Sequence, residues 1–164
     1  MARNLKNITD LNEEGMPDLD TTRIGIVVAQ WNEEITDALF EGCRQTLLKA
    51  GLKKKNVTRV EVPGAFELPS ASKLLVETKK MDAVICLGCV VQGETRHFDF
   101  ICEAVAKGIM DLNLRYNIPF IFGVLTTDTM EQARDRAGGK YGNKGIESAV
   151  AAVKMIALKK KLVK

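Results

Sequence analysis

Four short strand-like runs alternate with stretches whose apolar residues recur at helical spacing, and this leaves the chain few architectures. Arg23 to Ala29 (RIGIVVA) reads as a strand buried on both faces. It passes through Gln30-Trp31-Asn32 into a segment with Ile35, Leu39, Cys43 and Leu47 four apart, and Gly51 marks a helix stop. The pattern then repeats. Val57 to Val62 reads as strand, and Pro63-Gly64 turns into a helix carrying Leu74, Leu75 and Thr78. Ala83 to Val91 reads as strand, followed by a helix from Phe98 to Tyr116. Pro119 to Leu125 is the fourth strand. Helical segments over Met130 to Ala137 and Ile146 to Leu158, separated by a glycine-rich loop, close the chain. Strict alternation predicts a parallel sheet with helices on both faces, an α/β three-layer sandwich.

Residues 1 to 22 are polar and carry Asp10, Glu13, Glu14, Asp18 and Asp20, so they read as an N-terminal arm ahead of a single domain over 23 to 164. The arm has no signal-peptide pattern, and no apolar run approaches the ~18 residues of a membrane span. Four cysteines lie within apolar stretches, which favours reduced thiols and a cytoplasmic location. A net charge of +3, without a basic stripe interleaved with aromatics, argues against a nucleic-acid partner.

In a parallel α/β sheet, ligands bind beyond the carboxyl ends of the strands, so the loops after Ala29, Val62, Val91 and Leu125 are where chemistry is expected. Gly88 to His97 (GCVVQGETRH) has the GxxxxG spacing of a phosphate loop, with Thr95 at the hydroxyl position. Glu94, however, stands where a triphosphatase needs lysine. What remains is a glycine turn feeding a helix N-terminus, which suits one phosphate or carboxylate, or merely a cap made by Thr95. His97 is the only histidine, and an imidazole at this edge suits proton transfer near neutral pH. Arg96 and Asp99 are placed to tune it.

Pro63 to Pro69 (PGAFELP) sets an aromatic and a carboxylate, Phe66 and Glu67, side by side at a strand end. That pair could hold a planar, hydroxylated ligand; core packing and a helix-end charge are the structural alternatives. Trp31, the sole tryptophan, offers a stacking face beside Asn32, or else packs against the following helix. Arg136 to Gly145 (RAGGKYGNKG) sets Arg136, Lys140 and Lys144 among four glycines, where a guanidinium could grip phosphate and where a helix end with a flexible linker would carry the same letters. Cys86 and Cys89 form a CxxC, but positions three apart in a strand face opposite ways. No metal or redox centre is expected from them.

In this order, Trp31-Asn32, PGAFELP at 63 to 69, GCVVQGETRHFDFI at 88 to 101, FGVLT at 122 to 126 and RAGGKYGNKG at 136 to 145 resemble the lumazine synthases of riboflavin biosynthesis. The likeness spans Arg23 to Leu158. It implies a flavodoxin-like fold with a four-stranded parallel sheet. It also implies condensation of 5-amino-6-(D-ribitylamino)uracil with 3,4-dihydroxy-2-butanone 4-phosphate, releasing phosphate and water, with no cofactor. By the same resemblance Trp31 stacks on the pyrimidine, with Asn32 beside it. Ala65, Phe66 and Glu67 hold the ribityl side, and Cys89, Val90 and Val91 line the ring through their backbone. Glu94 and Thr95 bind the phosphate with Arg136, Lys140 and Lys144 assisting, and His97 transfers protons. Phe122 and Arg136 are donated by a neighbouring subunit.

Many relatives carry phenylalanine at the Trp31 position. The short glycine-rich loop lacks the insertion that accompanies free pentamers in the family, which implies a homo-oligomer of pentamers forming an icosahedral shell, with riboflavin synthase as an associated partner. The rival reading is a non-catalytic flavin-binding or shell protein on the same scaffold. Retention of His97, Glu94-Thr95 and Arg136 speaks against it, because storage needs neither a phosphate grip nor a proton shuttle. A flavodoxin or response regulator would need a phosphate loop or acidic cluster after the first strand, and Trp31-Asn32 is neither.

Overall fold

The computed structural model describes residues 17–163. Its sheet contains β1 (Ile24–Ala29), β2 (Val57–Val62), β3 (Ala83–Val91) and β4 (Phe120–Thr127), all parallel in the order β2-β1-β3-β4. Helices α1 (Glu33–Lys49), α2 (Leu68–Thr78), α3 (His97–Arg115), α4 (Met130–Asp135) and α5 (Lys144–Leu162) surround it. The α/β fold expected from the alternation is therefore the one found. No helix among the described residues is long and apolar enough to cross a membrane.

The two central strands divide the core. On one face Ile24, Ile26 and Val28 of β1 and Ile85, Leu87 and Cys89 of β3 pack on Leu39, Cys43 and Leu47 of α1 and on Ala152, Val153 and Ile156 of α5. On the other face Val27, Ala29, Val84 and Cys86 meet Leu68 and Leu75 of α2 and Val105 and Ile109 of α3. Successive strand residues point to opposite faces, so a strand covered on both sides must be apolar at every position. Every residue of β1 is buried, as that demands.

This layering creates the site. Adjacent strands β1 and β3 lead into α1 and α3, which lie on opposite faces. The two helices diverge from neighbouring strand ends and leave a crevice between them, the switch point where open α/β sheets bind ligands.

Several boundaries differ from the sequence expectation. β4 runs on to Thr127, α4 stops at Asp135, and α5 extends from Lys144 to Leu162. The glycine-rich loop holds an antiparallel ribbon of β5 (Ala137–Gly139) and β6 (Gly142–Asn143). Gly138 and Gly142 have φ of 123° and 81°, backbone that side chains rarely adopt. Asn143, almost fully buried, holds the ribbon down. Its amide donates to the carbonyls of Ala38 and Ala137 at 3.0 and 3.2 Å, and its Oδ1 accepts from the N–H groups of Gly145 and Ile146 at 2.8 and 3.2 Å, capping α5. A Cβ on Gly145 would collide with the Leu39 carbonyl, so α1 and α5 approach this closely only because that residue is glycine.

Upstream of β1, Leu19 is buried in the core. The Asp18 carbonyl accepts from Lys160 Nζ at 2.7 Å, and the Asp20 carboxylate pairs with Lys53 at 2.9 Å. The expected arm thus packs on the domain from Asp18 onward; its residues 1–16 lie outside the described residues.

Candidate functional site

A cleft of about 750 Å³ opens at the carboxyl ends of β1 and β3, a size usual for small-molecule sites. Trp31, Asn32, Gly64, Ala65, Phe66, Glu67, Cys89, Val90, Val91, His97, Phe100 and Ile101 line it. Three loops spread between residues 31 and 101 therefore meet at one crevice.

The first loop supplies Trp31 and Asn32. Trp31 is 73% exposed, which rules out burial against α1 and leaves the indole as a wall of the cleft. Its backbone N–H donates to the Pro63 carbonyl at 3.1 Å, tying the first loop to the second. Asn32 has φ 59° and ψ 49° and is the only non-glycine residue with positive φ among the described residues. Its side-chain amide donates to the Cys89 carbonyl at 2.9 Å, tying the first loop to β3.

In the second loop Ala65–Glu67 form one turn of 3-10 helix ahead of α2. Phe66 is 57% exposed, so core packing does not account for it. The Glu67 N–H donates to the Gly64 carbonyl at 3.3 Å, while the Glu67 carboxylate accepts from the Gly64 N–H at 3.0 Å, which engages one oxygen. Its remaining acceptor capacity suits a hydroxyl donor. Pro69 enters the first turn of α2, where its missing N–H costs nothing.

The third loop brings His97, the first residue of α3, with its imidazole exposed in the cleft. Phe100 and Ile101 follow one turn later on the same helix face. Sequence reasoning missed both, although their spacing from His97 was available to find them. Arg96 and Asp99 pair with each other at 3.3 Å rather than with His97. Both are well exposed, so the pair is worth at most about 1 kcal/mol and leaves the imidazole free to turn. Glu94 and Thr95 are exposed in the turn before α3. Thr95 Oγ1 accepts from the His97 N–H at 3.4 Å, a long bond, and neither residue lines the cleft.

Cys86 and Cys89 fall in the two opposite cores, as strand geometry required of the CxxC. Burial pushes the Cys86 thiol up to about 12, against a smaller lowering by the Ser72 hydroxyl, and the Cys89 thiol up to about 11. Both are neutral thiols packed in a core.

The remaining candidates lie elsewhere on the same protomer. Phe122 projects from edge strand β4 and is 37% exposed. Arg136, at the end of α4, donates to the Tyr141 carbonyl and makes a two-pronged pair with Glu147, at 2.9 and 3.1 Å. Lys144 Nζ lies 3.3 Å from the same carboxylate, and Lys140 covers the Tyr141 ring at 5.1 Å. Partial burial raises the Glu147 pKa, but the hydrogen bond from Arg136 and the two cations outweigh it, so the carboxyl ionises below its ordinary range. Glu147 was not found from sequence, where it looked like an ordinary first-turn acid. None of Phe122, Arg136, Lys140 and Lys144 lines the cleft of their own protomer.

Residues 21–160 match the family model described as 6,7-dimethyl-8-ribityllumazine synthase. A protein of that name from Cytophaga hutchinsonii is 59% identical over 152 residues, covering 93% of this chain and 95% of the relative. Those from Parabacteroides distasonis and Phocaeicola vulgatus are 55% and 48% identical, covering 95% and 100% of this chain and 98% of each relative. The chain belongs to the 6,7-dimethyl-8-ribityllumazine synthase family.

Proposed function

We propose that this protein condenses 5-amino-6-(D-ribitylamino)uracil with 3,4-dihydroxy-2-butanone 4-phosphate to give 6,7-dimethyl-8-ribityllumazine, phosphate and water, the penultimate step of riboflavin biosynthesis. The observation that carries this reading is the meeting of Trp31, Phe66, Glu67 and His97 on one cleft. Trp31 stacks on the pyrimidine, and Glu67 accepts from ribityl hydroxyls beside Ala65 and Phe66. The backbone of Cys89, Val90 and Val91 borders the ring. His97 gives and takes protons as the amine and ketone form an imine with loss of water, phosphate departs, and the second amine closes the ring with loss of a second water. The turn at Glu94 and Thr95, beside the cleft and ahead of α3, offers its backbone N–H groups to the phosphate. Orienting two substrates this way lowers the barrier by as much as ~7–11 kcal/mol, and the residues named supply the positioning and proton transfer.

No arginine or lysine lines the cleft, and Arg136, Lys140 and Lys144 lie outside it. We therefore assign Phe122 and Arg136 to the cleft of a neighbouring copy, in pentamers that assemble into an icosahedral shell. Exposed Phe100, Met110 and Leu114 on α3 suit burial between such copies. A cytoplasmic location and association with riboflavin synthase complete the proposal. Mixing the protein with both substrates should raise lumazine absorbance and release inorganic phosphate together. Riboflavin binding without either product would refute the assignment. Light scattering showing pentamers alone would remove the shell.

A further inference from the structure

Asn32 gives up two local preferences at once. An asparagine ahead of a helix ordinarily turns its side-chain oxygen onto the first backbone N–H groups, yet Asn32 makes no side-chain cap to α1. Its backbone also sits in the left-handed region, with φ 59°. A conformation that is costly locally persists only when its surroundings fix it. Here the fixing contact is the amide bond to the Cys89 carbonyl at 2.9 Å, across to the neighbouring strand. Its backbone carbonyl meanwhile accepts from the Ile35 and Thr36 N–H groups at 2.8 and 3.1 Å, so the residue joins the start of α1 to the end of β3.

Trp31 is the next residue back, and its own N–H is held by the Pro63 carbonyl. The indole then lies against Gly64, where an added Cβ would come within 3.3 Å of both Trp31 Cδ1 and the Glu67 carboxylate. An exposed tryptophan is thus set by bonds on either side of it rather than by burial.

We propose that Asn32 is a positioning residue. Its tether to Cys89 and its left-handed backbone preset Trp31 as a rigid wall before the pyrimidine arrives. The inference rests on the stacking role proposed above for Trp31. It predicts an effect on binding of the pyrimidine, not on the proton transfers, because rigid walls spare the ligand the cost of ordering them.

Trp31 is the chain's only tryptophan, so its fluorescence reports the tether directly. Asn32→Gly keeps the left-handed backbone without strain and deletes the amide. In the substrate-free oligomer it should lower tryptophan anisotropy and increase quenching by acrylamide. It should raise KM for the ribitylaminouracil about tenfold while kcat changes far less, in line with the loss of one hydrogen bond. Asn32→Asp, which cannot donate to the carbonyl, should behave the same way. Gly64→Ala, with Asn32 intact, should shift the indole emission and raise the same KM.

Unchanged anisotropy and quenching in Asn32→Gly would overturn the proposal. So would a raised KM with wild-type fluorescence, which would make Asn32 a direct ligand contact. Because the fluorescence is read without substrate, a wild-type protein that forms no lumazine would refute the proposed reaction and leave the tether still decided.

Discussion

The lip of the cleft and the ribbon that follows α4 both carry candidate ligand-binding side chains, yet they are held in opposite ways. At the lip, Trp31 and Phe66 are exposed while the backbone beneath them is bonded to strand ends and neighbouring loops. In the ribbon, Arg136 is partly buried and its charge is already matched by Glu147. The lip therefore presents apolar faces ready for a ligand in one protomer. The ribbon presents a cation that must exchange part of its pairing for any anion it meets. A stacking surface can be complete within one chain, whereas the cations proposed for the anion grip lie outside the cleft and, on the proposed reading, come from a second copy.

The largest test falls on the lip. His97→Ala should lower kcat roughly a hundredfold, about 2.7 kcal/mol of barrier, because general acid–base catalysis contributes on that scale. Thermal unfolding should be unmoved, since the imidazole is exposed; a wild-type rate across pH would remove His97 from the chemistry. Next comes the packing of the ribbon's far end. Gly145→Ala should cost about 1–3 kcal/mol or more in urea unfolding, because the added methyl meets the Leu39 carbonyl rather than a movable side chain. A stability within 0.5 kcal/mol of wild type, roughly the scatter of neutral surface changes, would show that the two helices can part.

Arg136→Ala should raise KM for the butanone phosphate about tenfold, the scale of one charge-assisted hydrogen bond. Refolding it together with His97→Ala sharpens the comparison. If lip and ribbon of one site come from different copies, some sites in the mixture regain both residues, and its activity at low butanone phosphate exceeds the average of the two parents. Activity equal to that average would place both on one chain.

The smallest effect concerns pH. The Glu147 carboxyl ionises below its ordinary 4.5 in the folded state, so its pairing with Arg136 and Lys144 stabilises above that value and is lost as pH falls through the lowered one. Wild type should exceed Glu147→Gln slightly in urea midpoint at neutral pH. The two should converge toward pH 3. The margin is modest because solvent screens part of the pair. Equal midpoints at every pH would mean that Arg136 is positioned without it.

Val57–Val62 and Ala83–Val91 could be bounded from sequence because runs rich in β-branched residues and ended by turn residues have few other uses. The ribbon could not. AGGKYGN has no apolar alternation, and its strands are held by each other and by the four hydrogen bonds of Asn143, whose partners include Ala38 from a distant helix. Trp31, Phe66 and His97 stood out as unusual residues at strand ends. Phe100 and Ile101 did not, because apolar residues in an apolar helix look like core until the exposed face is known.

The sequence alone dictated the alternation of strands and helices, and with it a parallel sheet whose loops after the strands were the place to look for a cleft. That followed from local physics, since a run of apolar residues must be covered wherever it lies. Only the tertiary structure decided that α1 and α3 leave adjacent strands on opposite faces, opening the crevice, and that Asn32 spends its amide on Cys89. It alone separated Arg136 from the cleft of its own protomer. Those outcomes depend on contacts between residues tens of positions apart, which no local pattern encodes.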